Sequence, residues 1–335
     1  MPSTRALVTG AGGFIGHHLV AYLKTLGYWV RGVDLKRPEY GATRADEFLV
    51  LDLREAADAR TAVAGVDEVY SLAADMGGMG FISSHHAQIV HNNSLIDLNT
   101  IEAARRGGVK RLLYSSSACV YNETLQDHAD VRPLKEEDAY PALPQDGYGW
   151  QKLMTERLCL YYRDEYNLET RVVRFHNIFG PLGTWDGGRE KAPAAMCRKV
   201  AVAKLTGHLE VEVWGDGEQT RSFCYIDDCV AGMHRLMRSD YPHPLNLGQD
   251  RLISINGLLD LVARIAGVSV RASHIIGPQG VRGRNSDNSR LREVLGWEPS
   301  VSLEDGLART YGWIEDQVRQ QLAAPLPGPQ VTAGA

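Results

Sequence analysis

A glycine-rich turn, Thr9-Gly10-Ala11-Gly12-Gly13-Phe14-Ile15-Gly16, follows the apolar run Ala6-Leu7-Val8 and leads into a helical pattern. The spacing of Gly10, Gly13 and Gly16 suits a tight strand-to-helix turn, lets a pyrophosphate reach backbone N–H groups, and allows close helix packing. Phe14 and Ile15 then open the first helical turn. Asp34 closes a second strand pattern eighteen residues after Gly16, where a carboxylate can bind adenosine ribose hydroxyls. Such a carboxylate repels a 2′-phosphate, so the expected cofactor is NAD rather than NADP, even with Lys36 and Arg37 close by. Asp52 and Leu53, after a third strand pattern, are placed to meet the adenine, and Ala73 offers a small side chain where the cofactor must pass.

The texture of the first half extends this reading. Residues 5–9, 29–34, 47–51, 68–72, 111–116 and 170–175 read as strands, with helical periodicity between most of them, notably over 92–106 and 148–166. Strands and helices in alternation imply right-handed crossovers and an α/β fold, a Rossmann-type doubly wound parallel sheet that binds its ligand at the carboxyl ends of the strands. After Gly180-Pro181 the elements shorten: a helix over 190–204, a strand near 211–214 and helices over 254–266 and 302–318. Ser302 and Asp305 have the spacing of a capping box, with Asp in place of Glu. The expected division is a cofactor-binding domain over 1–180, a smaller C-terminal α/β domain over 181–320 that is mainly substrate-binding, and a disordered tail over 321–335 rich in Ala, Pro and Gly.

Charge and cysteines narrow the setting. With 36 basic and 41 acidic residues the formal charge is −5, which argues against broad binding to nucleic acid or anionic membranes while leaving room for a local phosphate site. Cys119, Cys159, Cys197, Cys224 and Cys229 are odd in number and form no C-x-x-C pair, so no disulfide framework or zinc site is signalled. A reducing, cytoplasmic setting is expected, with no signal peptide and no spanning segment.

Two stretches carry the chemistry. Ser115-Ser116-Ser117-Ala118-Cys119-Val120-Tyr121 puts a hydroxyl and a thiol two residues apart at a strand end, and Tyr148-Gly149-Trp150-Gln151-Lys152 puts a phenol and an ammonium at i, i+4 on one helical face. With the glycine turn, Ser117, Tyr148 and Lys152 resemble the extended short-chain dehydrogenase/reductase family, whose members mostly act on nucleotide sugars. The resemblance implies Tyr148 as acid/base on a sugar hydroxyl, Lys152 lowering its pKa and holding the nicotinamide ribose, and Ser117 orienting the same oxygen. A phenol with an ordinary pKa near 10 needs such a cation to work as a base at neutral pH. Outside this context a Y-x-x-x-K is usually a solvated helix face, and a strand-end cysteine a small buried hydrophobe.

Residues 73–81, 116–119, 174–177, 187–195, 214–217 and 281–288 are similar to a narrower branch of that family, the GDP-mannose 3,5-epimerases, and the similarity runs to about residue 318. It implies oxidation at C4 of the sugar of GDP-mannose or a close relative, proton exchange at C3 and C5, and re-reduction by the same NAD. It also implies Cys119 and Lys191 as the proton carriers on carbon, and a homodimer. For the substrate wall it implies Gly77, Ser117, Asn177, Glu190, Lys191, Lys199, Gln219 and Arg284, with Lys199 and Arg284 on the diphosphate. Arg221, Arg282 and Ser286 are further neighbours, while Asp287 and Asn288 serve equally well as helix caps. The insert from Glu123 to Asp146 reads as a variable loop, and His176 as a core histidine. Two other readings compete: an NADPH-dependent 4-keto-sugar epimerase/reductase of the GDP-fucose synthase type, against which Lys191 and Asp34 argue, and a non-catalytic dinucleotide-sensing or scaffold protein.

Overall fold

Seven parallel strands form the main sheet of a computed structural model that describes residues 3–323. In chain order the first six are β1 (Arg5–Thr9), β2 (Trp29–Asp34), β3 (Glu47–Val50), β4 (Glu68–Ser71), β5 (Arg111–Ser117) and β6 (Glu169–Phe175). Their spatial order is 3-2-1-4-5-6, with a seventh strand, Pro244–Leu247, beside β6. The order reverses at β1 and β4, so a crevice opens above their carboxyl ends. At these carboxyl ends lie Gly10 just after β1, Ala73 after β4, and Ser117 as the last residue of β5.

The strands expected from sequence match these to within one residue at each end, because all but β3, whose residues are partly or fully exposed, are short runs buried on both faces. Two features depart from expectation. The helix expected over 92–106 begins six residues earlier and spans His86–Arg106, since its first turns carry few apolar residues to mark them. The seventh strand comes from beyond residue 180, as does the helix Ile226–Arg238 that packs on Phe14–Thr25. The later half therefore completes the earlier half's sheet. The expected tail lies outside the described residues from 324 onward.

The insert 123–146 is a built wall of the molecule. Leu134 packs with Ala118, Val120, Tyr121 and Leu153, and its N–H and C=O bond Asn285 O and Asp287 N at 3.0 Å each. At the other end of the chain Ser302 caps the helix Leu303–Ala323: its hydroxyl accepts the Asp305 N–H at 3.1 Å and donates to the Asp305 carboxylate at 2.7 Å.

Beneath the strand ends lies a buried ion pair. Arg174 of β6 donates through Nε and Nη2 to the two carboxylate oxygens of Glu156, at 2.8 and 2.7 Å, and both side chains are 2% exposed. Ser116 of β5 donates to Glu156 at 2.5 Å, and Arg174 also reaches the Glu136 carbonyl at 2.6 Å. Removing one partner of such a pair leaves an uncompensated buried charge. Glu156→Gln is expected to destabilise the protein by about 3–5 kcal/mol, measured by urea unfolding; a loss near zero would show that the pair does not hold the sheet to its helix.

Candidate active site

Gly10 takes φ +68°, the left-handed region open to glycine, and a Cβ on Gly16 would collide with the Gly10 carbonyl. The turn therefore folds tightly enough for the helix Phe14–Thr25 to start directly above β1. That helix has no side-chain cap and no acidic residue in its first turn, so its leading N–H groups face the crevice open to an anion. Asp34 accepts the Gly12 N–H at 3.0 Å, bracing the turn from the end of β2, and burial raises its pKa. Thr9 Oγ1 accepts the N–H groups of Leu72 and Ala73 at 3.0 and 3.1 Å, which ties β4 to the same turn. Asp52 is engaged locally: its carboxylate pairs with Arg54 at 2.5 Å, which lowers its pKa, and Leu53 is buried beside it.

The helix Gly147–Tyr166 brings Tyr148 and Lys152 to the end of β5. Asp146 caps it by accepting the Gly149 N–H at 2.8 Å. Gly149 is required there, because a Cβ would strike the Cys119 carbonyl; its absence lets the turn Ala118–Val120 lie against the helix. Ser117 Oγ accepts the Cys119 N–H at 3.2 Å and so shapes that turn. Tyr148 and Lys152 are both buried, and the Lys152 ammonium lies 4.6 Å from the Tyr114 ring centre and 5.7 Å from that of Tyr148. Burial lowers the Lys152 pKa, opposed by Asp97, Cys159 and Glu156. Tyr148 is pushed above its ordinary range by burial, then by Cys119, Asp97 and Asp146, while Ser117 pulls it down.

The loop after β4 meets the segment before residue 192. Gly78 donates its N–H to the Arg189 carbonyl at 3.0 Å, the Arg189 guanidinium lies 3.9 Å from the Phe81 ring centre, and Gly77 is buried against both side chains. Glu190 accepts from Arg198 at 2.9 Å and from the Gly188 N–H at 2.7 Å. Lys191 keeps open surface along its side chain, yet desolvation lowers its pKa, with Cys119 the first group opposing the shift. The interaction with Cys119 places Lys191 within electrostatic reach of that thiol.

The remaining wall is uneven. Arg284 is buried, donates to Cys119 Sγ at 3.4 Å and to Gln126 Oε1 at 2.5 Å, and has Arg221 nearby. Among the described residues neither guanidinium is in an ion pair with a carboxylate, so the two form a positive corner. Gln219 is buried with Oε1 unpartnered, and Asn177 donates to the Ser222 carbonyl at 2.9 Å. Lys199 donates to the Glu212 carbonyl at 2.7 Å, and Arg282 pairs with Asp216 at the same distance. Asp287 accepts the Ser289 N–H at 2.8 Å in the manner of a cap. His176 is buried, its pKa lowered to about 3 by desolvation, and it shares a 2.9 Å hydrogen bond with Asn246, in keeping with a core histidine.

Residues 6–248 match the NAD dependent epimerase/dehydratase family. The chain belongs to this family. It is 49% identical over 319 residues to GDP-mannose 3,5-epimerase 1 of Oryza sativa subsp. japonica, covering 95% of this chain and 83% of that protein. GDP-L-fucose synthase 1 of Arabidopsis thaliana is 28% identical over 318 residues, 93% of each chain. Among solved structures, UDP-glucose 4-epimerase of Thermotoga maritima, determined with UDP-glucose, superposes with a TM-score of 0.84 at 27% identity, over 94% of this chain and 100% of its own.

NAD is the family's cofactor, and the uncapped helix start, the Gly10 turn and Asp34 fit it. Family membership also brings forward residues that sequence reading passed over. Asn93 holds the loop after β4, accepting the Asp75 N–H at 2.6 Å and donating to the Asp75 carbonyl at 3.2 Å. Asp97 accepts from Tyr114, Gln151 and Thr155 at 2.7, 2.7 and 3.0 Å, with its other oxygen buried and unpartnered. With Thr100 they form a polar stripe at helical spacing on the buried face of His86–Arg106, a signal legible in sequence as polar residues where the core should be. Gly16→Ala is expected to weaken NAD binding at least about ten-fold by fluorescence titration, with the far-UV circular dichroism unchanged. Unaltered affinity would mean that the turn does not carry the pyrophosphate.

Proposed function

We propose that this nucleotide-sugar epimerase inverts C3 and/or C5 of GDP-mannose, giving GDP-L-galactose and/or GDP-L-gulose. The observation that carries this reading is the joint presence of Cys119 and Lys191 at one cleft, from separate segments, beside Ser117, Tyr148 and Lys152. A simple oxidoreductase needs only the last three, whereas inversion at carbon needs a proton removed on one face and delivered on the other. The identity to the rice epimerase supports the choice of GDP-mannose. A reductase of the GDP-fucose synthase type is less supported: the relative is more distant, and a lysine occupies position 191.

In this reading, bound NAD supplies a reversible hydride acceptor for sugar C4 and, when oxidised, a positive charge in the cleft. Tyr148 takes the proton from the C4 hydroxyl, its phenol oriented by Ser117. That added positive charge offsets the upward shift burial imposes on Tyr148, with Lys152 the resident cation. A ketone at C4 acidifies the C–H bonds at C3 and C5, and Cys119 and Lys191 move the protons there. Lys191 suits the task because desolvation brings its ammonium below the ordinary lysine range. Gly77, Asn177, Glu190 and Gln219 line the sugar side. Arg284, with Arg221 beside it, takes the diphosphate, where a planar guanidinium can grip two oxygens; Lys199 reaches it by leaving the Glu212 carbonyl.

Incubation with GDP-mannose in deuterated water, without added NADPH, should place deuterium at C3, C5 or both. Cys119→Ser and Lys191→Arg should each lower this exchange by at least about 100-fold while transient NADH absorbance still forms, and Tyr148→Phe should suppress both signals. Wild-type protein that exchanges nothing overturns the epimerase reading, and a Cys119→Ser protein that exchanges normally overturns the role of the thiol.

The same proposal extends to a homodimer in a reducing cytoplasm. Val90 and Leu98 on one helix and Trp150, Met154 and Tyr161 on its neighbour are exposed apolar residues on packed helices, an arrangement that a second copy would cover. All five cysteines are free, and no helix among the described residues is long and apolar enough to cross a membrane. Light scattering should give a dimer for the wild type and a monomer for Trp150→Glu/Met154→Glu; a monomeric wild type rules out the dimer.

A further inference from the structure

Gln126 is 1% exposed, lies in the insert 123–146, and takes part in six hydrogen bonds, one of them from its own N–H to the Glu123 carbonyl at 2.9 Å. Its backbone carbonyl accepts the N–H groups of Arg282 and Gly283 at 2.9 and 3.1 Å. Its side-chain amide donates to the carbonyls of Tyr121 and Asn122, at 3.4 and 3.2 Å, and its Oε1 accepts Nε–H of Arg284 at 2.5 Å. Arg284 in turn donates through Nη1 to Cys119 Sγ at 3.4 Å. These contacts close a ring: from the Ala118–Val120 turn to Tyr121, to Gln126, to Arg284, and back to the sulfur of that turn.

We propose that Gln126 is a positioning residue that holds the Arg284 guanidinium against the Cys119 sulfur. The assignment of Cys119 as a proton carrier on carbon rests on the epimerase reading; the ring of contacts does not. An arginine has five N–H donors and swings about a long flexible stem, so its direction is set by what accepts its bonds. Here no carboxylate is available to do so. A neutral amide oxygen on Nε fixes the guanidinium plane without cancelling its charge, which a carboxylate would partly do. The charge stays available to the sulfur on one side and to a diphosphate on the other. A chain that merely needed to fill this space would do so with an apolar side chain, at no cost in unsatisfied polar groups.

Gln126→Met preserves length and volume and removes both side-chain roles. Cys119 is the one partly exposed cysteine and the other four are buried, so alkylation by iodoacetamide, mapped by mass spectrometry, reports on it selectively and without substrate. A cation beside a cysteine sulfur promotes its reaction with electrophiles. The rate at Cys119 is expected to fall about ten-fold in Gln126→Met, with the thermal midpoint showing that the variant is folded. In an Arg284→Met background the same substitution should change the rate less than two-fold, roughly the limit of additive behaviour, since no guanidinium remains to be positioned. An unchanged rate in the single variant, or an equal drop in both backgrounds, overturns the proposal.

Should Gln126→Met not fold, the unaltered protein carries the test. In arginine-labelled protein the Nε–H resonance of Arg284, assigned by its loss in Arg284→Lys, is expected to exchange with solvent far more slowly than those of exposed arginines; exchange as fast as theirs overturns the assignment. Deuterium incorporation into GDP-mannose separates the two ideas. If the wild type exchanges nothing, the epimerase reading fails while alkylation and Nε–H exchange still judge Gln126.

Discussion

Arg174 and Glu156 meet where a lone charge of either sign would be strongly disfavoured, and several elements that build the site converge on them. Arg174 comes from β6, Glu156 from the helix Gly147–Tyr166, and Ser116 from β5. Tyr121 joins Arg174 at 3.3 Å and donates to Asn246 of the seventh strand at 2.5 Å, whose N–H bonds the Glu136 carboxylate at 2.9 Å. Ser117 is the neighbour of Ser116, Lys152 lies one helical turn before Glu156, and Asn177 follows Arg174 by three residues. The pair contributes little net stability over a well-packed apolar substitute. Its value is geometric, because bidentate bonds and a shared serine leave one arrangement of strand, helix and turn.

Above this pair the cleft is locally the opposite of the chain. The whole protein is net acidic, yet Lys152 lies near Tyr148, and Lys191, Arg221 and Arg284 lie near Cys119, with burial lowering the pKa of the first three. Concentrating desolvated cations is costly unless an anion enters, and in the proposed reaction the diphosphate would supply that anion. The same poverty of counter-charge lets burial hold Lys191 below its ordinary range, something an ion-paired surface lysine does not offer.

The glycine turn, the strand ends and the Tyr148–Lys152 pair were legible because each rests on local rules: spacing along a helix, alternation of elements, glycine where backbone must approach backbone. The roles of Cys119 and Lys191 rested on resemblance, since nothing local distinguishes a working thiol from a core one. The seventh strand escaped because Pro244–Leu247 is four residues long and acquires its meaning only by pairing with β6. Gln126 was hidden for a related reason. It lies in a stretch rich in polar residues that reads as loop, and its bonds to Arg282, Gly283 and Arg284 join groups more than 150 residues away in sequence. Asn93 and Asp97 differ, because polar residues at i and i+4 on an apolar helical face were a signal available from the start.

That stripe joins the two halves of the chemistry. Asp97 is the first of the groups that oppose the desolvation of Lys152, and it holds Gln151 and Thr155 on either side of that lysine. One turn earlier Asn93 fixes Asp75, whose carboxylate lies 3.8 Å from the Arg189 guanidinium. Arg189 is two residues from Lys191 and bonded through its carbonyl to Gly78. A single helix thus ties the surroundings of Lys152 to the segment that carries Lys191. In the proposed reaction, chemistry at C4 and exchange on the adjoining carbons require those distances to hold together through one turnover, and two side chains one helical turn apart brace both.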